Sequence, residues 1–328
     1  TGRRHYRPKD SLVGGPAGGV VGSSSIGKRA GELRTIAFDM GGTSTDVSRF
    51  DGELDYKFEQ RIGVARVNAP SLRIETVAAG GGSICWFDGT APRVGPQSAG
   101  AKPGPACYGA GGPLTITDVN LLLGRLDASR FNIPVNIEAA KKRLALLQSE
   151  ICEASNRRVD SRELLLGFLA VANERMADAI RGISVSEGYD ASEYALVAFG
   201  GAGGLHACPI AEMLSMKKIL FPADSGLLSA YGLERATVER IEEEQVLERL
   251  EDCESRLSYL FEGLWRKALA FLNEEGEREE SVTLSSRRCE MRFSGQESSL
   301  QIPYEEASDL RSVFNQSYEK QFGFLPEG

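Results

Sequence analysis

The octapeptide Asp39-Met40-Gly41-Gly42-Thr43-Ser44-Thr45-Asp46 holds two carboxylates, two glycines and three hydroxyls. Glycine lets a backbone approach a ligand closely. Successive N–H groups and hydroxyls around one turn form a nest that suits phosphate oxygens, and an adjacent Asp suits Mg²⁺, usually through water. The same spacing also fits a plain hairpin turn whose hydroxyls cap its own backbone. The residues alone leave both readings open.

A second glycine turn, Phe199-Gly200-Gly201-Ala202-Gly203-Gly204, follows the apolar run Ala195–Phe199. A strand, a glycine turn and a helix N-terminus together can hold a nucleotide. The turn is not a G-x-G-x-x-G fingerprint, and no acidic residue stands on a following strand for the ribose of NAD. Its other reading is a turn that makes room for helix–sheet packing. Two such turns, each after a strand, support one another. His206 opens the following helix and could orient a phosphate or polarise a carbonyl; a satisfied structural histidine is the favoured alternative. Asp118 could bind substrate or metal, but capping the helix that starts at Val119 is the leading reading. Six scattered cysteines form no C-x-x-C pair, and none has a nearby second histidine, so a Cys–His nucleophile has little support. Cys85, Cys107 and Cys208 are read as packed small residues.

These turns need elements to carry them. Arg34–Asp39 and Thr45–Phe50 read as strands around the first turn. Asp51-Gly52 then predicts a hairpin into a strand over Glu53–Gln60. Val13 to Gly22 is too glycine-rich for a simple helix interior and is read as a loop leading into a small-residue helix up to Ala30. Residues 80–113 are read as an ordered glycine/proline loop region. Asn136 caps a helix reaching Ile151. Another runs from about Asp160 to Glu187, with Leu165, Leu169, Ala172, Met176, Ala179 and Ile183 at three- and four-residue spacing, and Asp160 with Glu163 resembles a capping box. Ala195–Phe199, Leu205–Leu214 and Lys218–Phe221 form a strand–helix–strand unit, which implies parallel pairing. An amphipathic helix spans the region 239–275, followed by strand-like segments at Ser281–Phe293 and Ser299–Pro303.

Composition narrows the field. The 328 residues suggest roughly two domains at ~150 residues each. The net charge of −8 arises wholly between Glu239 and Glu280, so nothing forms a basic footprint for nucleic acid. No run of ~18 apolar residues predicts a membrane span. The cysteine pattern and the lack of a signal peptide point to a reducing, cytoplasmic setting. The chain opens on Thr rather than Met, which suggests a piece of a longer protein.

The segments IAFDMGGTSTDVSRFDGE, TVAAGGGS, VGPQSAGAKPGPACYG, GGPLTITDVNLLLGRL, FGGAGGLHACPIAEML and DSGLLSAYGL occur in this order. In them the chain resembles the hydantoinase A/5-oxoprolinase family. The resemblance runs from about Val13 to Ala236 and resumes at Met291–Gln296 and Tyr318–Gly328. The detail is most similar to ATP-hydrolysing 5-oxoprolinases; N-methylhydantoinase A-type and acetone carboxylase β-type subunits are more distant alternatives. A sugar or acetate kinase and a non-catalytic, nucleotide-gated interaction module are the rival classes.

The resemblance implies an α/β, actin/hexokinase-like ATPase fold built of RNase H-like halves, with a mixed sheet flanked by helices. Residues 1–236 would form one such half, with a helical insert over 136–188, and residues 237–328 a C-terminal helix plus strands. It implies ATP and Mg²⁺ as cofactors and ATP-driven opening of a cyclic amide: 5-oxo-L-proline, ATP and water giving L-glutamate, ADP and phosphate. Residues 39–46 correspond to the family's second phosphate loop and 199–204 to its adenosine segment. On this basis Asp39 holds Mg²⁺ through water. Gly41, Gly42, Thr43, Ser44 and Thr45 hold the β/γ-phosphates. Asp46 orders the nucleophile or the Thr43 hydroxyl, and Gly200, Gly201, Ala202 and Gly203 pack on adenine and ribose. Implied partners are the N-terminal half of the A domain, a hydantoinase B-type subunit or domain, and further copies in an oligomer. Two departures stand out. Full-length members carry a second GGT loop, whereas this chain has one, and Ala110 stands where the family often has a basic residue. The chain is therefore expected to supply half a nucleotide site and, by itself, to bind nucleotide weakly without turnover.

Overall fold

The computed structural model describes residues 14–326, except 63, 64, 132, 157 and 298. The chain divides into two compact units at Ala236/Thr237. The first unit runs α1 (Gly14–Arg29), β1 (Arg34–Met40), β2 (Thr45–Asp51), β3 (Tyr56–Ile62), β4 (Ala65–Leu72), β5 (Ile74–Val77), β6 (Ser83–Phe87), β7 (Pro92–Ser98), α2 (Ile116–Leu122), α3 (Ile137–Ser155), α4 (Ser161–Ile183), β8 (Ala195–Phe199), α5 (Gly203–Met213), β9 (Ile219–Leu220) and α6 (Leu228–Arg235).

A five-stranded sheet in the order β5-β2-β1-β8-β9 is its centre. β1 and β2 pair antiparallel through the glycine turn, β2 pairs antiparallel with β5, and β1, β8 and β9 run parallel. Strand alternation sends successive side chains to opposite faces. Ile36, Phe38 and Met40 of β1 enter the main core with α4 and α5. Ala37 faces the opposite side, with Val197, Phe199 and Leu228. Every residue of β8 is buried, as a central parallel strand requires. The predicted stripe of α4 is buried in full, and the Asp160 carboxylate caps the helix by accepting from the N–H groups of Arg162 (2.9 Å) and Glu163 (3.0 Å). Asn136 caps α3 at 2.9 Å from the Ala139 N–H.

The structure corrects several local expectations. Residues 14–22 are helical, not a loop: α1 runs straight through its glycines. Helix propensity disfavours this by up to ~1 kcal/mol per glycine, but tertiary packing overrides it. A Cβ added at Gly22 would lie 2.5 Å from the Leu228 carbonyl oxygen, and one added at Gly232 would lie 2.5 Å from the Gly22 nitrogen. α1 and α6 thus cross backbone to backbone, and only glycine permits it. Asp51-Gly52 does turn the chain, with Gly52 at φ 81°, but Phe50 and Leu54 make a single bridge. β3 instead pairs with β4 in a separate hairpin, and β5 takes the place beside β2. The glycine/proline region 80–113 contains the β6–β7 hairpin.

The second unit contains α7 (Leu250–Cys253), α8 (Leu257–Glu274), β10 (Arg288–Met291), β11 (Leu300–Pro303) and α9 (Leu310–Phe322). The expected 239–275 helix begins only at Leu250 and is broken by a 3₁₀ turn over Glu254–Arg256. Its small core joins Cys253, Leu257, Ile302, Leu310, Phe314 and Tyr318. Among the described residues no helix is long and apolar enough to cross a membrane.

The α1–α6 contact yields a test. Gly232→Ala should destabilise the protein by ~1–3 kcal/mol, the usual cost of overpacking a tight contact. Equilibrium chemical unfolding measures it, and an unchanged midpoint would contradict the close crossing.

Candidate functional site

The register Asp39↔Phe199 between parallel strands β1 and β8 brings both glycine turns to the carboxyl edge of the sheet. In open α/β sheets that edge is where ligands bind. The turns touch directly. The Ala202 N–H donates to the Met40 carbonyl at 3.0 Å. Gly200 has φ 78°, and a Cβ there would lie 2.5 Å from the same carbonyl oxygen and closer still to the Asp39 carboxylate. Gly200 is therefore required by its neighbours and its backbone. Its own N–H donates to the Ser225 carbonyl at 3.0 Å, which draws in the segment leading to α6.

Elsewhere protein packing does not demand glycine. A Cβ added at Gly42 or Gly201 would meet nothing within 4 Å. Both face open space beside the turns, where a ligand could approach the bare backbone. The Gly41 N–H donates to the Ser44 carbonyl at 3.0 Å and closes the first turn. Among the described residues, the N–H groups of Gly42 and Thr43 have no protein acceptor. At the second turn, α5 starts from Ala202 with no side-chain cap; the Leu205 N–H turns back to the Ala202 carbonyl at 3.0 Å, and among the described residues the N–H groups of Gly203 and Gly204 have no protein acceptor.

The two carboxylates lie directly opposite each other in the β1–β2 ladder, in the pair Asp39↔Asp46. Like charges placed so are destabilising. Asp39 is half-buried on the α6 side of the sheet. Burial first, then the nearby Asp46 charge, push its pKa up from 3.8 to about 6, and a hydrogen bond from Ser229 opposes them. The Thr76 hydroxyl donates to Asp46 at 2.5 Å. Among the described residues no three His, Cys, Asp or Glu side chains gather as a metal cage. The residues present suit a hard cation held by one or two carboxylates, water and a ligand's oxygens, which is the usual manner of Mg²⁺.

Other candidates take different places. Thr45 is fully buried, and its hydroxyl donates to the Ala79 carbonyl at 2.5 Å, so it faces the core rather than a phosphate. The sheet's alternation decides this. Gly203 is buried with its Cα against β1, where a Cβ would meet the Phe38 carbonyl at 3.4 Å, so it serves helix–sheet packing. Asp118 is fully buried. Its carboxylate accepts from the N–H groups of Ala106 (3.0 Å), Cys107 (2.7 Å) and Thr115 (2.8 Å) and from the Thr115 hydroxyl (2.9 Å). It caps α2 and pins the 105–107 turn, leaving no capacity for substrate.

His206 is likewise buried. Nδ1 pairs with Asn173 Oδ1 at 2.7 Å and Nε2 with Asn120 Nδ2 at 3.2 Å. Nδ1 therefore donates and Nε2 accepts, the ring is neutral, and burial holds its pKa down at about 4. Cys85 and Cys107 are packed thiols whose pKa burial pushes up, the latter to about 12. Cys208 is instead exposed. Sequence reasoning missed Ser229 and Thr76 because their role depends on which strand or helix lies beside the turn. A surface depression of about 560 Å³, lined by Arg125, Leu126, Asp127, Arg130 and Phe131, includes no residue of either turn. The convergence of polar groups identifies the site better than that volume does.

The raised pKa of Asp39 carries a sign. A carboxyl that binds its proton more tightly when folded adds stability below about pH 3.8 and loses it as pH rises through about 6. Asp39→Asn cannot lose it. The melting temperature of Asp39→Asn minus that of the wild type should therefore rise by a few degrees between pH 4 and pH 7. Taking the difference cancels the opposite contribution of His206. A difference that stays flat across this range refutes the assigned electrostatics.

Comparison with known proteins shows the family and the fold. A family model described as hydantoinase/oxoprolinase matches residues 3–242. The 5-oxoprolinase of Dictyostelium discoideum is 38% identical over 352 residues, covering 98% of this chain and 27% of that protein. The 5-oxoprolinase of Saccharomyces cerevisiae is 38% identical over 328 residues, covering 96% of this chain and 25% of that protein. The chain thus spans about a quarter of the length of these relatives. The crystal structure of an ATP-dependent caprolactamase from Pseudomonas jessenii superposes with a TM-score of 0.73 at 28% identity, covering 95% of this chain and 47% of that one. The fold is accordingly of the actin/hexokinase-like ATPase type, with a mixed sheet between helical layers. By its matched residues and its relatives, the chain belongs to the hydantoinase/oxoprolinase family.

Proposed function

We propose that this chain supplies one half of the ATP site of an enzyme that opens cyclic amides, with 5-oxo-L-proline, ATP and water going to L-glutamate, ADP and phosphate. The observation that carries this reading is the meeting of two glycine turns on adjacent parallel strands, with the Asp39/Asp46 pair beside them. The names of the relatives support the substrate class, and the caprolactamase likeness supports a ring amide driven open by ATP.

In this reading the N–H groups of Gly42 and Thr43, with the hydroxyls of Thr43 and Ser44, hold the β- and γ-phosphate oxygens. Asp39 holds Mg²⁺ through water, and Asp46 orders a hydroxyl or water beside it. Gly201 and Ala202, with the open N-terminus of α5, face the nucleoside and its first phosphate. Bound ATP would supply a phosphoryl group to the amide carbonyl oxygen, which turns a poor leaving group into a good one. The repulsion between Asp39 and Asp46 is relieved when a cation arrives. The remaining face of the cleft belongs to the N-terminal half of the A domain, and ring opening involves a hydantoinase B-type partner. Both are part of the proposal, as is a cytoplasmic setting.

Asp39→Ala in the complete enzyme should lower 5-oxoproline-dependent phosphate release by ~10²–10³-fold or more, the scale of losing a key electrostatic group. Folding should be little affected, since Asp39 costs the folded state at neutral pH. Phosphate release with 5-oxoproline, compared with sugars and acetate, separates this reading from a kinase. Near-normal turnover of the variant would remove Asp39 from the metal role.

A further inference from the structure

The glycine turn between β1 and β2 is gripped from behind by the segment Ala79-Gly80-Gly81-Gly82. The Gly81 N–H donates to the Gly41 carbonyl at 3.1 Å, and the Gly82 N–H donates to the Gly42 carbonyl at 2.6 Å. Each gripping peptide is itself held at its other edge. The Gly80 carbonyl accepts from the Ser83 N–H at 3.0 Å. The Gly81 carbonyl accepts from the Thr117 N–H at 2.7 Å and from the Thr117 hydroxyl at 2.9 Å.

In a trans peptide the C=O and N–H point to opposite sides of one plane. Among the described residues the cis bonds are Gly95–Pro96 and Lys102–Pro103, so the peptides concerned here are trans. Two relays follow. The first passes from Ser83 N–H through the Gly80–Gly81 peptide and the Gly41–Gly42 peptide, and ends on the Gly42 N–H. The second passes from Thr117 through the Gly81–Gly82 peptide and the Gly42–Thr43 peptide, and ends on the Thr43 N–H. Both terminal N–H groups point away from the segment 79–82. Neither of these donors has a protein acceptor among the described residues. Hydrogen bonds in series polarise one another, so the outermost donors are strengthened. Donors fixed before a charged ligand arrives spare it the cost of orienting them.

We propose that Gly80–Gly82 and Thr117 are positioning residues that preset the Gly42 and Thr43 N–H groups for the phosphate oxygens of the nucleotide. The proposal rests on the ATP reading above and adds to it the part that makes the turn an anion site. The fit is tight. A Cβ at Gly80 would lie 2.7 Å from the Thr43 nitrogen, and one at Gly81 would lie 2.8 Å from the Thr117 hydroxyl oxygen. The Thr45 hydroxyl, donating to the Ala79 carbonyl, ties down the start of the segment. Thr45 thus acts on the turn from the core side without touching a ligand.

The test uses the complete enzyme and MgADP and MgATP as probes. Gly80→Ala must push the Thr43 backbone aside, and should raise the MgADP Kd and the KM for ATP by about ten-fold or more, a shift of the size of one good hydrogen bond. Thr117→Val removes one of the two bonds to the Gly81 carbonyl and should raise both by about three- to ten-fold, with kcat less affected. Thr117→Ser keeps the hydroxyl and should bind as the wild type does. Gly167→Ala serves as control, because a Cβ there meets nothing within 4 Å on α4 and lies away from the turns. Melting temperatures confirm that each variant folds, and if Gly80→Ala does not fold, Thr117→Val decides. Folded Gly80→Ala or Thr117→Val protein with wild-type Kd and KM overturns the proposal. So does a Thr117→Ser variant as impaired as Thr117→Val, which would mean that the hydroxyl bond is not what matters. A wild-type enzyme that binds neither probe removes the ATP reading itself, and this proposal with it.

Discussion

The side-by-side parallel pairing of β1 and β8 is the constraint on which the site depends. Register places Asp39 next to Phe199, so the chain leaves both strands at the same edge and level. Two segments 160 residues apart in sequence then form one rim, fastened by the bond from the Ala202 N–H to the Met40 carbonyl. β8 can sit there because all five of its side chains are apolar and buried between helical layers. Shifting the pairing by one residue would send Asp39 into the core and Phe38 out, which hydrophobic burial forbids.

The rim concentrates an electrostatic conflict. A β-hairpin built for stability alone would not place Asp39 opposite Asp46, nor half-bury the first of them beneath α6. Local rules are broken where something else compensates, and in the proposed reading a cation and a charged ligand supply the compensation. The Ser229 hydroxyl eases the conflict only in part, since the pKa of Asp39 still rises to about 6. By contrast, Asp118 and His206 have every polar demand met by the protein. Complete satisfaction marks them as structural, whereas Asp39 keeps a conflict that the protein itself does not resolve.

The glycines divide into kinds that composition does not separate. At Gly22 and Gly232 they let two helices touch backbone to backbone. At Gly200 and Gly80 they let one turn press on another. At Gly42 and Gly201 nothing in the protein fills the space a side chain would take. Open space alone does not mark a site, since Gly167 on α4 has it too; what sets Gly42 and Gly201 apart is that both lie on the shared rim.

The strands flanking both turns, the stripe and cap of α4, the cap of α3 and the parallel β8–β9 unit were legible in the sequence, because each follows from local periodicity or from a capping residue. The positions of the two glycine turns were legible too, but their spacing left a ligand nest and a plain hairpin or packing turn equally open. Partner choice was not legible. Asp51-Gly52 looks the same whether the next strand pairs with β2 or, as β3 does, with β4. The glycines of α1 look like loop until α6 lies across them. Thr45 and Ser44 are chemically alike, and only the direction of the pleat turns one to the core and leaves the other on the rim. Sequence determined which residues could do the chemistry, through their types and spacing along the chain. Tertiary structure decided which of them face the open rim, because that depends on contacts between segments far apart, whose geometry no local pattern encodes.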